Sequence, residues 1–273
     1  MMLKLSLFSP KSKGLRFNEK QTPFTAMNSK IKTQLIVLLS FTFPSLGYNQ
    51  VNSSIDLVAG FESSFRNLST SNEEQAIQDI LTRRNDTEEA NTNWRFGFNY
   101  NKRLKNKVFL KTGLRLARVG YNEIVDGLIW GTEHDGMGGF NNVDSSFDRT
   151  VQVSRGFFFL EVPVVARLEL SRKKFSPFIE MGFSPSLYLT TRVKSITETA
   201  IITDFSNQSG EFFNELHFVG SIAIGANYSI SDKIQIFGQP TFRYHITSLS
   251  KDRPIKEYLF NYGVEVGIRR ILN

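Results

Sequence analysis

From Ser54 onward apolar and polar residues alternate in segment after segment, the period of strands whose two faces meet different surroundings. The first segment sets Ile55, Leu57, Ala59, Phe61 and Phe65 against Asp56, Gly60, Glu62 and Arg66. The second sets Trp94, Phe96, Phe98 and Tyr100 against Arg95, Gly97, Asn99 and Asn101. In the third, Val108, Leu110, Leu114 and Leu116 oppose Lys111, Gly113, Arg115 and Ala117. The fourth carries Phe158, Leu160, Val162, Val164, Ala166, Leu168 and Leu170 on one face and Glu161, Pro163, Arg167 and Glu169 on the other. The fifth sets Ile179, Met181, Phe183, Leu187 and Leu189 against Glu180, Gly182, Ser184 and Ser186. The sixth sets Leu216, Phe218, Ile222, Ile224 and Tyr228 against His217, Ser221, Gly225 and Asn227. The seventh sets Ile234, Ile236, Phe242, Tyr244 and Ile246 against Gln235, Gln239, Arg243 and His245. The last sets Tyr258, Phe260, Tyr262, Val264, Val266 and Ile268 against Asn261, Gly263, Glu265, Gly267 and Arg269.

The connections alternate as well. Tight turns near Asn106, Lys173 and Ser231 join segments 2–3, 4–5 and 6–7, and longer stretches, about 69–91, 122–150, 195–213 and 248–256, join the others. The pattern predicts an all-β fold: an eight-stranded antiparallel up-and-down transmembrane β-barrel with short periplasmic turns and long extracellular loops. No later run is long and apolar enough for a helix to cross a bilayer, so a chain of this kind crosses only as a closed barrel. Pro163, Pro185 and Pro240 each remove a ladder donor and mark bulges or strand ends.

Two eight-stranded barrels share this alternation. A soluble lipocalin-like carrier turns its apolar face inward, and a membrane barrel turns it outward. Aromatic residues near strand ends (Trp94, Tyr100, Phe158, Tyr228, Tyr244, Tyr258) and the asymmetry of turns and loops favour the membrane form. The lumen face then carries Arg66, Arg95, Lys111, Arg115, Arg167, Arg243 and Arg269 with Asp56, Glu62, Glu161, Glu169, Glu180 and Glu265. Buried charges must be paired, and eight strands leave room only for side chains, so an open pore is not expected.

Charge and composition refine this picture. The chain has 273 residues and a net charge of +7, which by itself suggests nucleic acid. Residues 1–50, however, hold seven Lys and Arg against one acid, so the rest is close to neutral and no nucleic-acid partner is expected. Met27, the basic Lys30 and Lys32, the apolar Leu35–Phe43 and the small residues at Pro44-Ser45-Leu46-Gly47 form the pattern of a signal peptide over 27–47, cleaved near Gly47. Residues 1–26 read as a leader or as a start upstream of the true one, and 53–272 as the barrel domain. There is no Cys, which excludes disulfides and a lipid-modified cysteine. The long loops are together acidic, about ten charges below neutral, and suit divalent cations beside lipopolysaccharide phosphates as well as plain solvation.

Chemistry-bearing motifs are few. Gly136-Met137-Gly138-Gly139 lacks a following Lys-Thr and reads as loop punctuation. Glu73–Arg84 can form a short amphipathic helix on the barrel rim. Strand alternation with Leu168 and Ile179 facing out places Arg167 opposite Glu180 as a lumen salt bridge. His217 and His245 fall on the lumen face at equal distance from the Ser231 turn, directly across from each other or one diagonal away. With Glu215 they are weak candidates for a metal site or a general base at a wet rim, against the plainer reading of hydrogen-bonded lumen fillers. No cofactor and no catalytic residue is expected.

Particular stretches also carry a likeness: Phe159-Leu160-Glu161-Val162-Pro163-Val164-Val165-Ala166, then Pro177-Phe178-Ile179-Glu180-Met181-Gly182, and the closing Tyr262-Gly263-Val264-Glu265-Val266-Gly267-Ile268. On these the chain resembles the PorT-like outer-membrane β-barrel family over about 53–272, and more loosely the OmpX- and OmpA-type barrels. The resemblance implies a barrel of the porin-like superfamily in the bacterial outer membrane, with no catalytic or binding residues to carry over. Such barrels commonly end in an aromatic residue, whereas this sequence ends Ile271-Leu272-Asn273. The expected function is that of a non-enzymatic barrel with a structural, adhesion or envelope-assembly role. Its expected partners are outer-membrane lipid, lipopolysaccharide and the barrel-insertion machinery. A lipid-modifying enzyme with a rim histidine and a soluble carrier are the alternatives.

Overall fold

The computed structural model describes residues 53–71, 73–125, 150–171, 173–197, 200–206 and 213–272. The signal-peptide and leader readings, Gly136–Gly139 and most of 122–150 lie outside them. The described elements are β1 (Ser53–Thr70), α1 (Gln75–Asp86), β2 (Glu88–Lys105), β3 (Val108–Val125), β4 (Val151–Glu161), β5 (Val164–Glu169), β6 (Phe175–Ile196), β7 (Ile201–Ser206), β8 (Leu216–Ser229), β9 (Ile234–His245) and β10 (Ile255–Leu272).

These strands make eight staves. β4 and β5 are one stave interrupted at Val162 and Pro163. Both halves keep the same register on β3, with Glu161 against Arg115 and Val164 against Thr112, so the proline costs a donor but no residue slips. Each stave pairs antiparallel with its sequence neighbours, and β10 returns to β1 from Ser53–Leu272 to Thr70–Ile255, which closes the ring. Pro240 sits where the β8–β9 ladder lapses between Ala223–Thr241 and Ala226–Gly238.

The wall is apolar outside and polar inside. Leu57 and Phe61 are 67% and 66% exposed, while Asp56, Glu62, Arg95, Arg167 and Glu265 are buried. A soluble barrel has the opposite arrangement, so the soluble-carrier reading falls on the facing of the wall. Aromatic side chains stack along the outside: Phe65 with Phe260 and Tyr262, Trp94 with Phe96, and Tyr244 with Tyr258. Toward the tight turns, Val58, Phe178 and Phe237 form a small apolar cluster inside the lumen. Gly267 makes room for it, because a Cβ there would stand 2.5 Å from the Phe237 ring and 2.6 Å from the Leu57 carbonyl oxygen.

The longer connections are more structured than their polar composition suggests. Within 69–91, β1 runs on to Thr70, α1 occupies Gln75–Asp86 and β2 starts at Glu88. The helix thus begins and ends two residues later than the sequence places it. Within 195–213, β6 continues to Ile196 and β7 folds back on it, Ile196 pairing with Ile201 and Thr191 with Ser206. A hairpin therefore rises above the barrel where a loop is expected. Below it β6 shifts register once on β4, between Phe158–Thr190 and Phe159–Tyr188, and its alternation then resumes in the opposite phase.

The chain ends of the barrel and the tight turns lie at one end, and α1 and the β6–β7 hairpin at the other. Because the chain lacks Cys, single cysteines report sidedness cleanly. Thr82→Cys on the exposed face of α1 should react with a membrane-impermeant maleimide in intact cells. Lys173→Cys at the β5–β6 turn should react only after the outer membrane is permeabilised. The reverse pattern would overturn the orientation.

Candidate functional site

Alternation delivers one charged or amide side chain from nearly every stave to the lumen, and the structure joins them into a continuous ionic network. At the periplasmic end Arg269 grips Asp56 with two hydrogen bonds, 2.7 and 2.8 Å. Arg269 also lies 3.6 Å from Glu169, which is 3.8 Å from Arg167. Higher up, Arg115 and Arg243 share Glu265 at 2.9 and 2.8 Å. Arg243 donates on to Glu62 at 2.9 Å, Arg95 donates to Glu62 as well, and Arg95 holds Glu161 at 2.8 and 3.0 Å. Gln239 ties the halves together through Glu180 and Glu265. Among the described residues the central network counts six cations (Arg95, Lys111, Arg115, Arg167, Arg243, Arg269) and six anions (Asp56, Glu62, Glu161, Glu169, Glu180, Glu265). That balance is what lets a low-dielectric interior hold so many charges.

Arg167 stands opposite Glu180 across the β5–β6 ladder, in line with the spacing argument. The pair is loose: Nη1 is 3.5 Å from Oε1. Glu180 is held more tightly by Lys111, 2.5 Å away on β3. Arg167 instead donates to Asn227 and lays its guanidinium over the Phe178 ring at 3.5 Å. Sequence spacing finds partners on adjacent strands. It does not see Lys111, which reaches past β5 because β5 lies between β3 and β6.

The histidines are one diagonal apart, since His245 pairs with Val219 rather than with His217. Their ring centroids are 6.1 Å apart, and Phe159 stands against both, 5.1 and 5.6 Å away. The expected wet rim is corrected here, because both rings are buried. The reason lies above them. Ala117, Val119, Tyr121, Phe157, Phe159, Tyr188, Leu249 and Leu259 form an apolar cluster inside the outer end of the lumen, with Phe213 packed against it. His217 donates its Nε2 hydrogen to the carbonyl oxygen of Asn214 at 2.8 Å. Glu215 stays half-exposed and does not join them. Among the described residues no three His, Asp or Glu side chains converge in a way that could hold a metal ion. The signal for the plug is in the sequence: the lumen phase simply turns apolar toward the outer strand ends, at Val119, Tyr121, Phe157 and Leu259. Above the plug Arg66 lies over the Tyr121 ring at 3.9 Å and pairs with Glu88 at 2.7 Å. Arg84 of α1 reaches down to Glu257 at 2.9 Å.

The network makes a prediction about Glu180, which accepts from Lys111, Arg167 and Gln239. Glu180→Gln leaves Lys111 buried without its counter-charge and should destabilise the refolded barrel by about 3–5 kcal/mol in urea unfolding. Arg167→Met, which removes a weak partner, should cost less. The Lys111→Met/Glu180→Gln double variant should be milder than the sum of its single changes. Strict additivity of Lys111 and Glu180 would rule out the pairing.

A match to a protein family agrees with this architecture. A family model described as an outer membrane protein beta-barrel domain matches residues 48–251. A search of curated protein sequences finds no relative. Among solved structures, Neisserial surface protein A is 9% identical with a TM-score of 0.36, covering 78% of this chain and 96% of its own. The outer membrane protease OmpT from Escherichia coli is 9% identical with a TM-score of 0.42, covering 84% and 99%. The outer membrane protein OprG from Pseudomonas aeruginosa is 10% identical with a TM-score of 0.40, covering 81% and 96%. With its closed ring, apolar wall and ionic lumen, the chain belongs to the outer membrane protein beta-barrel domain family and is a protein of the bacterial outer membrane.

Proposed function

We propose that this is a non-enzymatic barrel whose lumen is structural filling and whose work, in adhesion, envelope structure or assembly, is done at its outer rim. The observation that carries the reading is the lumen itself. An ionic network with matched charges fills it from the tight-turn end upward, a small apolar cluster is set within that network, and an aromatic plug packs over His217 and His245 at the outer end. A general base needs a path for substrate and proton, and neither imidazole is reached by solvent. A pore needs a continuous aqueous path, and paired charges stabilise the lumen only while they stay in contact. The proposed environment is outer-membrane lipid around the apolar wall with lipopolysaccharide at the rim, reached through the barrel-insertion machinery. No cofactor enters this reading.

Two measurements test it together. The refolded protein in planar bilayers should give no discrete conductance steps. Envelopes from cells with and without the protein should have the same lipid acyl-chain profile. Stable unitary conductance, or an altered acyl profile that reverts in His217→Ala or His245→Ala, would overturn the proposal.

A further inference from the structure

The outer wall carries one cluster of charge that the lumen network does not absorb. Three rows of the β3–β4–β6 sheet define it. Arg118 stands beside Phe158, which pairs with Thr190. One row outward, Gly120 and Gly156 lead to Arg192. In the next, Asn122 and Ser154 lead to Lys194. Arg118, Arg192, Asn122, Ser154 and Lys194 line one cleft of about 320 Å³, in which no carboxylate takes part.

Gly156 makes the cluster converge. It separates Arg118 from Arg192 on the same face, and a Cβ there would stand 2.6 Å from Nε of Arg118. The Arg118 side chain therefore lies across the glycine toward Arg192. Neither guanidinium makes an ion pair among the described residues, and the Nε–H of each has no acceptor although it is buried. Arg118 donates only to the Thr92 carbonyl, at 3.2 Å, and Arg192 lies 5.7 Å from the Phe205 ring. Among the described residues, Asp204 pairs with Val193, one residue out of phase with Arg192 and Lys194. Glu89 pairs with Asn122 and shares its face, but it does not line the cleft. Holding two guanidiniums and an ammonium together without a counter-charge is unfavourable unless an anion completes the set.

Position identifies the anion. Leu116 and Leu160 form the row below Arg118, and Trp94 packs on Phe158 at 6.1 Å beside it. Polar residues begin directly above. The cleft thus sits on the lateral wall where the apolar band gives way to the aqueous side, the depth at which outer-leaflet headgroups lie. We infer that Arg118, Arg192 and Lys194, brought together over Gly156, form a binding site for a phosphate group of an outer-leaflet lipid. Arg supplies paired N–H donors that match phosphate oxygens, and Lys adds a mobile charge. The inference rests on the outer-membrane location and is independent of the non-enzymatic reading.

The test uses the refolded full barrel in detergent, with bisphosphorylated lipid A and its dephosphorylated form as probes and native mass spectrometry as the readout. The unmutated protein should retain the phosphorylated lipid preferentially, and millimolar inorganic phosphate should not displace it. The Arg118→Gln/Arg192→Gln/Lys194→Gln variant should lose affinity on the order of a hundred-fold, from about five-fold per charge. Its heat-modifiable gel mobility should remain that of the folded barrel. Gly156→Ala keeps every charge but pushes Arg118 aside, and should weaken binding several-fold. Equal retention of both lipids, or full affinity in the folded triple variant, overturns the site. Full affinity in Gly156→Ala would reduce it to diffuse charge, and displacement by inorganic phosphate would show that the lipid is not what is recognised.

Discussion

In hydrocarbon there is no water to satisfy a backbone amide, and everything in this structure follows from that. Every N–H and C=O of the wall must find its partner on a neighbouring strand, so the sheet has to close on itself. The β1–β10 ladder does this over eighteen residue pairs. Closure at eight staves fixes a narrow interior, and the surrounding lipid takes the apolar side chains. What is left for the inside is the polar half of each alternating strand.

That polar half is costly to enclose unless it is internally matched. The network answers with equal numbers of cations and anions and with shared partners: Glu62, Glu180 and Glu265 each accept from several donors. Sharing means that no single contact defines the lumen, and removing a hub strands several charges at once. Toward the outer end the filling changes character, as aromatic residues pack around the histidines. Val58, Phe178 and Phe237 form a smaller apolar cluster among the network's arginines. The filled lumen carries at its outer end α1, tied down through Arg84 and Glu257, and the β6–β7 hairpin.

The outer wall follows the opposite rule. There charge is normally absent, so three cations gathered over a glycine stand out against the lipid-facing apolar surface in a way that no lumen charge does. Inside, each guanidinium of the central network has a carboxylate within reach. On the wall, Arg118 and Arg192 have none among the described residues. The barrel separates charges that hold it together from charges left available for something outside the chain.

Much of this was legible in the sequence because strand periodicity is local. Alternation alone assigns the membership of the lumen network, from Asp56 to Arg269, and the facing of most of each stave; it fails at Val162 and Leu187, which are read as outward but are buried, and above the β6 register shift, where the phase reverses. The Arg167–Glu180 register follows from one turn and two outward residues, and the α1 helix from its own amphipathic spacing. What alternation could not supply is anything that depends on a third strand or on height along the axis. Lys111 reaches Glu180 across β5, a distance set by curvature of the ring. The histidines are dry because Phe157, Phe159 and Tyr188, from two other staves, close over them. The reversed phase at the top of β6 follows a register shift on β4 that leaves no mark in composition. Arg118 and Arg192 lie 74 positions apart in the chain and meet because Gly156, on the strand between them, leaves the space. The sequence by itself determined which residues face inward and which outward along the regular parts of the strands, through the local geometry of the extended chain. Only the closed tertiary structure decided which of them meet, because meeting depends on the radius, stagger and packing of the whole ring.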